Sequence, residues 1–505
     1  MDLAMDNIYK RFHQTAIRLP NKCAIRYEQR SIDYQNLLQA VERVGKQFEQ
    51  ANLIPGTVIA LYCDNTIEYI VAYLAAARNQ LVLATLDVRY TDAELAAIVA
   101  ESRPEYILVE KDRPFVHSVS AGLESGHIIE VQDDLSLFLI PLNHQLPRHP
   151  ELTPTDFIIQ YSSGSTGTPK GIRLSQYGLI NKLENWIATL SILEDDVLLN
   201  TLTLSHCYGM YVHTLTALFS GATVVMLNLA MLTPRRIATT IEEQGVTVFG
   251  SLPYMYQLLA DLPQNYQPDF TQVRYFISGS APLNEKTAKD FMLRFNRPIN
   301  QVFGLTEIGL ITFNRNVNDV MSTGCLTANM EARIINAQGE DVAEGEVGEL
   351  LVRCASMANG YLGHSEEEKN NFVDGWLHTQ DFVYRSNDYF YVAGRKSHFI
   401  NVGGNKVSPV EIEACLTTHP AVKEAAVAGI NDDYTGEQII AFVVMAHPAT
   451  SSELLVHCRA YLAAYKVPTR IIQVSSIPKS PLGKILKKNL LEDWLRESNQ
   501  SVQKV

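Results

Sequence analysis

The sequence predicts an α/β protein with a large N-terminal domain, which contains a β-rich subdomain, and a small α+β domain at the C-terminal end. Three observations predict this architecture. Apolar strand-like runs alternate with segments of helical period through most of the chain, the stretch after residue 345 changes to short strands and turns, and a compact α+β pattern follows residue 394.

The alternating region predicts its elements in order. Residues 57–62 are expected to form a buried strand after the turn at Pro55-Gly56, and residues 68–77 have the period of a helix. Further strands are expected at 157–159, 172–174, 221–226, 246–249 and 273–277. A helix at 234–244 separates two of them. Because strands that alternate with helices usually run in the same direction, this order predicts α/β subdomains with parallel sheet.

The last third of the chain has a different pattern. Residues 348–353 and 389–393 are short strands between turns, which is typical of a β-rich subdomain. A helix is expected from Pro409, and further elements are expected as strands at 422–430 and 438–445 and a helix at 452–464. We therefore expect an N-terminal domain at 1–393, a hinge at 394–397 and a mobile C-terminal domain at 398–505.

Size and charge narrow the class of protein. With 505 residues the chain can build several hydrophobic cores, and 46% hydrophobic against 19% charged residues is an ordinary globular composition. The net charge of −13 argues against a nucleic-acid-binding protein and against a polybasic membrane protein.

Cysteine usage and apolar stretches indicate the compartment. The seven cysteines are scattered without a CxxC pair, so neither a zinc site nor a disulfide framework is expected. The first residues are acidic where a signal peptide is basic. The best apolar stretch, residues 69–86, is interrupted by Arg78-Asn79-Gln80, so no membrane span is expected. These features predict a soluble, cytoplasmic protein.

The strongest local signal is a loop rich in glycine and hydroxyl residues between the strands at 157–159 and 172–174. Glycines let backbone N–H groups converge on an anion, hydroxyls add donors, and Lys170 adds a positive charge. Gly171 follows Lys170 where a Walker A loop has Ser or Thr, so this is a different phosphate loop. The residues predicted to bind nucleotide phosphates are Ser162, Ser163, Gly164, Ser165, Thr166, Gly167 and Lys170.

This loop resembles the phosphate-binding signature of the acyl-adenylate-forming superfamily. That superfamily includes acyl-CoA synthetases, adenylation domains of nonribosomal peptide synthesis and firefly-type luciferases. Five further segments match its motifs in the same order, so the resemblance covers most of the chain. It implies an enzyme that uses ATP and Mg²⁺ to convert a carboxylic acid into an acyl-adenylate with release of pyrophosphate. The acyl group then passes to a thiol.

The segment 303–307 resembles the superfamily's aromatic-Gly-x-Thr-Glu motif. The resemblance implies that Phe303, where tyrosine is usual, stacks on adenine beside Gly304. It also implies that the Thr306 hydroxyl meets the α-phosphate and that Glu307 holds Mg²⁺, a hard cation that prefers carboxylate and phosphate oxygens. The turn that resembles the lining of the adenine and acyl sites contains Gly279, Ser280 and Ala281.

Two segments resemble the ribose site and the hinge. The resemblance implies that Asp381 accepts both ribose hydroxyls, although Gln380 replaces the usual glycine before it. Arg395 is implied to contact the ribose. Ser397 stands at the hinge pivot, where the superfamily usually has Asp or Lys.

The last motifs carry the second half of the reaction. Gly403 and Gly404 resemble the passage for a pantetheine arm in thioester-forming members. Lys484 lies in a segment that resembles the C-terminal Gly-Lys motif, whose cation bridges the carboxylate and the α-phosphate. We expect Lys484, Thr306, Glu307 and His206 to be the catalytic residues.

The segment around His206 resembles the superfamily's histidine beside the acyl pocket. Members that activate amino acids usually carry an aspartate here, whereas no acidic residue lies between Asp196 and Glu242. A buried ammonium would lack a partner, so we expect an acid without an α-amino group, either aromatic or short-to-medium aliphatic. The predicted pocket residues are His206, Tyr208, Met210, Gly250, Ser251, Ser278, Gly279 and Gly304.

Coenzyme A is the expected acceptor, and the phosphopantetheine of an acyl carrier protein is the alternative. The basic cluster at 484–488 suits the nucleotide phosphates of coenzyme A or an acidic carrier protein. Two rival classes stay open at this point. A luciferase-like oxygenase would share every adenylation motif, and a non-catalytic AMP-binding regulator would have lost Lys484 or Glu307, which are both present. Monomer and homodimer are both compatible with the sequence.

Overall fold

The computed structural model of the chain describes residues 7–110, 127–132, 135–142, 147–163, 169–316, 319–395, 400–402, 405–432, 436–462, 464–479 and 485–502. Within them the strands form four sheets, two large and two small. The first two alternate with helices, whereas the third is antiparallel and the fourth belongs to the C-terminal region. This architecture confirms the predicted α/β class, with a large N-terminal and a smaller C-terminal domain.

The elements are given in chain order. The first are α1 (Ile8–Arg18), β1 (Cys23–Tyr27), β2 (Arg30–Asp33), α2 (Tyr34–Gln50), β3 (Val58–Tyr62), α3 (Ile67–Arg78), β4 (Val82–Thr85), α4 (Asp92–Ser102), β5 (Tyr106–Glu110), β6 (His127–Gln132), β7 (Leu135–Pro141) and β8 (Asp156–Ser163). Next come β9 (Pro169–Ser175), α5 (Gln176–Leu190), β10 (Val197–Asn200), a π-helix (Tyr208–Leu215), α6 (Thr216–Ser220), β11 (Thr223–Met226), a 3-10 turn (Leu229–Met231), α7 (Pro234–Glu243), β12 (Val248–Ser251), α8 (Pro253–Ala260), β13 (Tyr275–Ser278), α9 (Glu285–Phe295), β14 (Ile299–Leu305), β15 (Gly309–Phe313) and β16 (Cys325–Leu326).

The remaining elements form the two smaller sheets and their helices. They are β17 (Glu331–Ile335), β18 (Gly348–Arg353), β19 (Gly360–Leu362), α10 (Ser365–Asn371), β20 (Phe372–Val373), β21 (Trp376–Ser386), β22 (Tyr389–Arg395), β23 (Ile400–Val402), β24 (Asn405–Val407), α11 (Pro409–Thr417), β25 (Val422–Asp432), β26 (Gly436–Met445), α12 (Ser451–Tyr461), a 3-10 turn (Ala464–Lys466), β27 (Arg470–Gln473) and α13 (Lys487–Val502).

The two large sheets are parallel at their centres. One has the order β19-β9-β8-β4-β3-β5-β7-β6, in which β8, β4, β3 and β5 run parallel. The other has the order β16-β15-β14-β13-β12-β10-β11-β1-β2, in which the six strands from β14 to β1 run parallel. The largest cluster of buried apolar side chains joins these sheets through α1, α2 and α3.

The smaller sheets confirm that the pattern of secondary structure changes in the last third of the chain. The third sheet, β17-β18-β21-β20 with β22 on β21, is entirely antiparallel. The fourth, β24-β23-β26-β25 with β27 on β26, carries one apolar cluster on each face, against α11–α12 and against α13. Each cluster is built only from residues after 399, as an independently packed C-terminal domain requires.

Most predicted elements are confirmed, with small changes of boundary. The strand expected at 246–249 ends later, at Ser251, and the strand expected at 389–393 continues to Arg395. The helix expected at 452–464 ends at Tyr461, because the backbone of Leu462 is extended. Among the described residues, no helix is both long and apolar enough to cross a bilayer.

Candidate active site

The described ends of the glycine-rich segment lie on two paired strands, β8 and β9, which we call the phosphate hairpin. Strands β8 and β9 pair antiparallel, with Ser162 opposite Lys170 and Ser163 opposite Pro169. Lys170 is half-buried and lies on strand β9. In a Walker A loop, by contrast, a helix follows the lysine. The predicted phosphate-binding residues Gly164, Ser165, Thr166 and Gly167 lie outside the described residues.

Strands β12 and β13 end side by side below the predicted adenine and acyl sites, and the parallel strand β14 continues past them. Ser251, Ser278 and Gln301 are register partners on β12, β13 and β14. The Gln301 side chain accepts a 2.9 Å hydrogen bond from the backbone N–H of Leu283 and so holds the turn that contains Gly279, Ser280 and Ala281. Ser280 has a φ of 64°, a conformation that a tight turn imposes on it. Ligands of α/β sheets bind at this carboxyl edge.

The aromatic-Gly-x-Thr-Glu segment forms the end of β14 and the turn into β15. Phe303, Thr306 and Glu307 are half-buried, and Gly304 is exposed. A Cβ atom on Gly304 would lie 2.5 Å from the carbonyl oxygen of Gly309, so only glycine fits between these two strands.

A buried lysine anchors this turn. Lys182 of α5 donates a 2.7 Å hydrogen bond to the backbone carbonyl of Thr306. Burial lowers the pKa of Lys182 to about 8, although nearby Cys207 and Glu307 favour its charged form. The helix that carries it begins where Ser175 caps the backbone N–H of Gly178, directly after β9. Lys182 therefore connects α5, the helix that follows the phosphate hairpin, to the turn that contains Thr306 and Glu307.

The Glu307 carboxylate accepts a 2.9 Å hydrogen bond from the Tyr361 hydroxyl. Tyr361 is on β19 and lies opposite Ile172 on β9 of the phosphate hairpin. No group of three or more His, Cys, Asp or Glu side chains that could hold a metal occurs among the described residues. A single carboxylate fits Mg²⁺ that is bound mainly by nucleotide phosphates and water.

The predicted ribose residues are cross-strand partners. Asp381 on β21 is opposite Arg395 on β22, with 3.8 Å between a carboxylate oxygen and Nε of the arginine. Asp381 is buried, and its backbone N–H donates to the Thr379 hydroxyl at 3.1 Å. Gln380, which stands where the superfamily usually has glycine, has a φ of 60°. The backbone thus keeps the left-handed conformation that favours glycine.

The predicted catalytic histidine lies next to a cysteine that contacts the threonine. Cys207 Sγ is 3.8 Å from His206 Nδ1 and 3.5 Å from Thr306 Oγ1. Burial alone would lower the pKa of His206, but the charge and hydrogen bond of Cys207 raise it. Burial alone would raise the pKa of the Cys207 thiol, whereas His206, Thr306 and Lys182 lower it to about 7.

Buried amides fix the segment that carries the histidine. The Asn65 side chain donates to the carbonyl of Leu202 at 2.6 Å and accepts from the N–H of Leu204 at 2.8 Å. Gln160 on β8 donates to the carbonyl of Ser205 and accepts a 3.1 Å hydrogen bond from the Tyr211 hydroxyl. These contacts place the histidine segment against the strand that leads into the phosphate hairpin.

The predicted acyl pocket is partly assembled around Tyr208. This residue begins the π-helix, and its hydroxyl donates to the carbonyl of Ile277 at 3.1 Å. A Cβ atom on Gly279 would lie 3.3 Å from the Tyr208 ring, and one on Gly250 would lie 3.1 Å from its hydroxyl. Met210 belongs to the largest apolar cluster and is 1% exposed. π-Helical turns are frequent at functional sites.

The C-terminal predictions fall mostly outside the described residues. Ser397, Gly403, Gly404 and Lys484 are not among them. The chain on either side of the Gly-Lys motif is described, with a β-bridge between Lys479 and Ile485. Within the basic cluster, Lys487 is 2.6 Å from the Glu413 carboxylate.

Several site residues were missed by sequence reasoning. No cysteine is predicted from the sequence to belong to the site, although Cys207 contacts Thr306. The contacts of Lys182 and Tyr361 join positions far apart in the chain, so no local pattern indicates them. One available signal was the helical period, which places Lys182 on the same face of α5 as the apolar residues Leu179 and Trp186.

Comparison with known proteins decides the family. The sequence profile of AMP-binding enzymes matches residues 12–362, and that of their C-terminal domain matches residues 411–484. The chain belongs to the AMP-binding enzyme family. This confirms the acyl-adenylate-forming superfamily that the motifs predicted.

Relatives and structural neighbours cover almost the whole chain. An oxalate–CoA ligase of Arabidopsis thaliana is 26% identical, over 98% of each chain. A 4-coumarate–CoA ligase of Oryza sativa subsp. japonica is 30% identical, over 89% of this chain and 87% of its own. The structure of an anthranilate CoA ligase in complex with anthranoyl-AMP superposes with a TM-score of 0.85 at 23% identity, over 97% of both chains. The last comparison confirms the fold.

Proposed function

We propose that this AMP-binding enzyme activates a carboxylic acid with ATP to give acyl-AMP and pyrophosphate, and then transfers the acyl group to coenzyme A. One observation carries the proposal. Tyr361 donates to Glu307, lies on the strand that pairs with the phosphate hairpin, and accepts from Asn371, which binds Gln380 beside Asp381. Hydrogen bonds and one strand pair thus link three motif segments through Tyr361 and Asn371.

In the first step a carboxylate oxygen attacks the α-phosphorus, and the bond from that phosphorus to the pyrophosphate oxygen breaks. Charge builds up on the α-phosphate oxygens during this displacement. The Thr306 hydroxyl and the Lys484 ammonium are proposed to stabilise that charge, and the hairpin from Ser162 to Lys170 holds the leaving phosphates. Mg²⁺ neutralises phosphate charge when bound, and Glu307 is the residue proposed to hold it.

The nucleoside is held by residues on two other elements. Phe303 is proposed to stack on adenine, and Asp381 is proposed to accept hydrogen bonds from the two ribose hydroxyls. Arg395 faces Asp381 across the strand pair and is proposed to contact the same ribose. These contacts hold the α-phosphorus next to the carboxylate in the geometry of attack. The reaction within the complex then no longer depends on a chance encounter of the two reactants.

In the second step the thiol of coenzyme A attacks the acyl carbonyl, and AMP leaves. We propose that the C-terminal domain, residues 398–505, turns about a hinge at 394–397 that includes Ser397. This domain rotation moves Lys484 out of the active site and brings Gly403 and Gly404 next to the path by which the thiol enters. Such a rotation lets one site serve both steps.

The acid is proposed to lack an α-amino group. No acidic residue lies between Asp196 and Glu242 in the region that includes the histidine segment and the π-helix. An ammonium buried there would lack a carboxylate partner. The relatives' names include coumarate and oxalate. Their variety supports a small carboxylic acid and leaves an aromatic and a short-to-medium aliphatic acid as the two candidates.

The test is a panel of carboxylic acids, assayed for pyrophosphate release from ATP and for thioester formation with coenzyme A or holo-carrier protein. The proposal predicts acid-dependent pyrophosphate release and an acyl-CoA product. Thioester on the carrier protein alone would replace coenzyme A as the acceptor. ATP turnover that no acid stimulates would reject the function.

A further inference from the structure

Gln380 has a backbone conformation that is unfavourable for a residue with a side chain. Its φ of 60° lies in the left-handed region, where a residue with a Cβ atom is strained relative to glycine. The superfamily usually has glycine at this position. The strain is offset where the side chain makes a contact that glycine cannot make. The Gln380 side chain donates a 2.7 Å hydrogen bond from Nε2 to Oδ1 of Asn371.

That hydrogen bond is the first of three in series. Asn371 donates from Nδ2 to the Tyr361 hydroxyl at 3.2 Å, and Tyr361 donates to Glu307 Oε1 at 2.9 Å. Tyr361 is 3% exposed and Asn371 is 5% exposed, so water competes little for these groups. The series ends on the carboxylate proposed to hold Mg²⁺.

The chemistry of the groups fixes the direction of every bond. An ionised carboxylate only accepts, so the Tyr361 hydroxyl must donate to Glu307. That hydroxyl proton is then used, so Asn371 must donate to the tyrosine oxygen through its amide nitrogen. Its amide oxygen consequently faces Gln380 and requires a donor. Glutamine supplies that donor, whereas glycine has no side chain to do so.

We propose that Gln380 is a positioning residue that orients the Glu307 carboxylate through Asn371 and Tyr361. We call the three hydrogen bonds that lead from Gln380 to Glu307 the relay. Since Gln380 directly precedes Asp381, the relay also connects the strand of the predicted ribose site to the turn that contains Glu307. This inference rests on the proposed function, which assigns Mg²⁺ to Glu307. It adds a reason why the strained glutamine is kept in this chain.

Nucleotide binding tests the relay without an acid substrate. ATP affinity is measured by titration calorimetry with Mg²⁺ and with EDTA, and the midpoint of thermal unfolding is measured for each variant. For Gln380→Gly we expect the midpoint to change little, because relief of the backbone strain offsets the loss of the hydrogen bond to Asn371. We expect the Mg²⁺-dependent gain in ATP affinity to fall by about tenfold, as for other outer partners of metal ligands.

Two further variants isolate the mechanism. Tyr361→Phe removes the last donor, so it should cause the same loss, and the double variant should lose no more than either single variant. Asn329→Gly is the matched control, because Asn329 is exposed with a φ of 58° and has no described contact with the relay. It should leave the Mg²⁺-dependent gain unchanged.

Other outcomes would overturn the inference. An equal loss of affinity with Mg²⁺ and with EDTA would make Gln380 a general nucleotide contact. Additive losses in the double variant would show that Gln380 and Tyr361 act separately. If no acid stimulates pyrophosphate release while Gln380→Gly still weakens Mg²⁺-dependent binding, the proposed function fails and the relay stands.

Discussion

The Lys182 ammonium donates a 2.7 Å hydrogen bond to the backbone carbonyl of Thr306, the residue whose hydroxyl is proposed to meet the α-phosphate. Lys182 is 7% exposed, and its hydrogen-bond partner is a backbone carbonyl and not a carboxylate. Burying a charge without a paired carboxylate destabilises a fold. The retention of a lysine here is therefore better explained by the position of the turn than by stability.

Lys182→Met tests that explanation. Methionine keeps the apolar length of the side chain and removes the charge and the donor, so we expect the thermal midpoint at pH 7 to stay or rise. We expect acid-dependent pyrophosphate release to fall by about tenfold, because Thr306 loses its anchor. Lys286→Met, an exposed helical lysine paired with Asp290, is the control and should keep its activity. A large loss of stability in Lys182→Met would contradict the argument.

The same variant has a pH signature. Burial lowers the pKa of Lys182 to about 8, from 10.5 in an unfolded chain. Between these two values the unfolded state holds more protons, so the unfolding free energy of the native protein should rise with pH, by an amount on the order of 3 kcal/mol. Lys182→Met should lack this rise. Parallel stability–pH curves for both proteins would show that Lys182 titrates normally.

Cys207 should react as a thiolate near neutral pH. Burial raises its pKa, but His206, Thr306 and Lys182 together lower it to about 7. The rate of alkylation by iodoacetamide, followed by mass spectrometry of the peptide that contains Cys207, should rise through a midpoint near that pH. His206→Asn should move the midpoint up, because the largest lowering influence is lost. A midpoint close to 9 in the native protein would refute the assignment.

Gly279 is expected to tolerate no side chain. An added Cβ atom would lie 2.7 Å from Val302 Cγ2 and 3.3 Å from the Tyr208 ring. Gly279→Ala should therefore raise the KM for the acid about tenfold by shifting Tyr208, with a smaller effect on the KM for ATP. Val302→Ala frees the space, so the double variant should recover most of the loss. A double variant as poor as the single one would place the defect elsewhere.

Much of this architecture could be predicted because local patterns determine it. The runs at 57–62 and 172–174 became β3 and β9, since apolar residues between turn residues have few alternatives to a buried strand. The motif residues Asp381 and Arg395 met across one strand pair, as their assumed shared ligand requires. The resemblance to the superfamily predicted the roles of the motif residues, and the hydrophobic period of the sequence predicted the helices and strands.

Other features depend on contacts that no local pattern encodes. The helix of Lys182 and the turn of Thr306 are 124 positions apart, and their contact follows from the packing of α5 against β15. The π-helix at Tyr208 was not predicted, because a single extra residue in a helical turn leaves an almost unchanged periodicity. The strained Gln380 was noted as a departure from glycine, but its hydrogen-bond partner Asn371 could not be anticipated.

Lys484 is expected to serve only the first step. Lys484→Ala should reduce acid-dependent pyrophosphate release about 100-fold or more, because the charge on the attacked phosphate loses its cation. Thioester formation from supplied acyl-AMP and coenzyme A should be retained. Lys479→Ala is the matched control, since Lys479 lies in the same segment and is paired with Glu424 at 2.5 Å. Equal loss of both steps in Lys484→Ala would reject its proposed role.

Isotope transfer tests the central claim most directly. An active acid labelled with ¹⁸O in its carboxylate is incubated with the enzyme, ATP, Mg²⁺ and coenzyme A, and the products are analysed by mass spectrometry. If the carboxylate attacks the α-phosphorus, one labelled oxygen must appear in AMP and none in pyrophosphate. Unlabelled AMP, or label in a released phosphate group, would contradict acyl-adenylate formation.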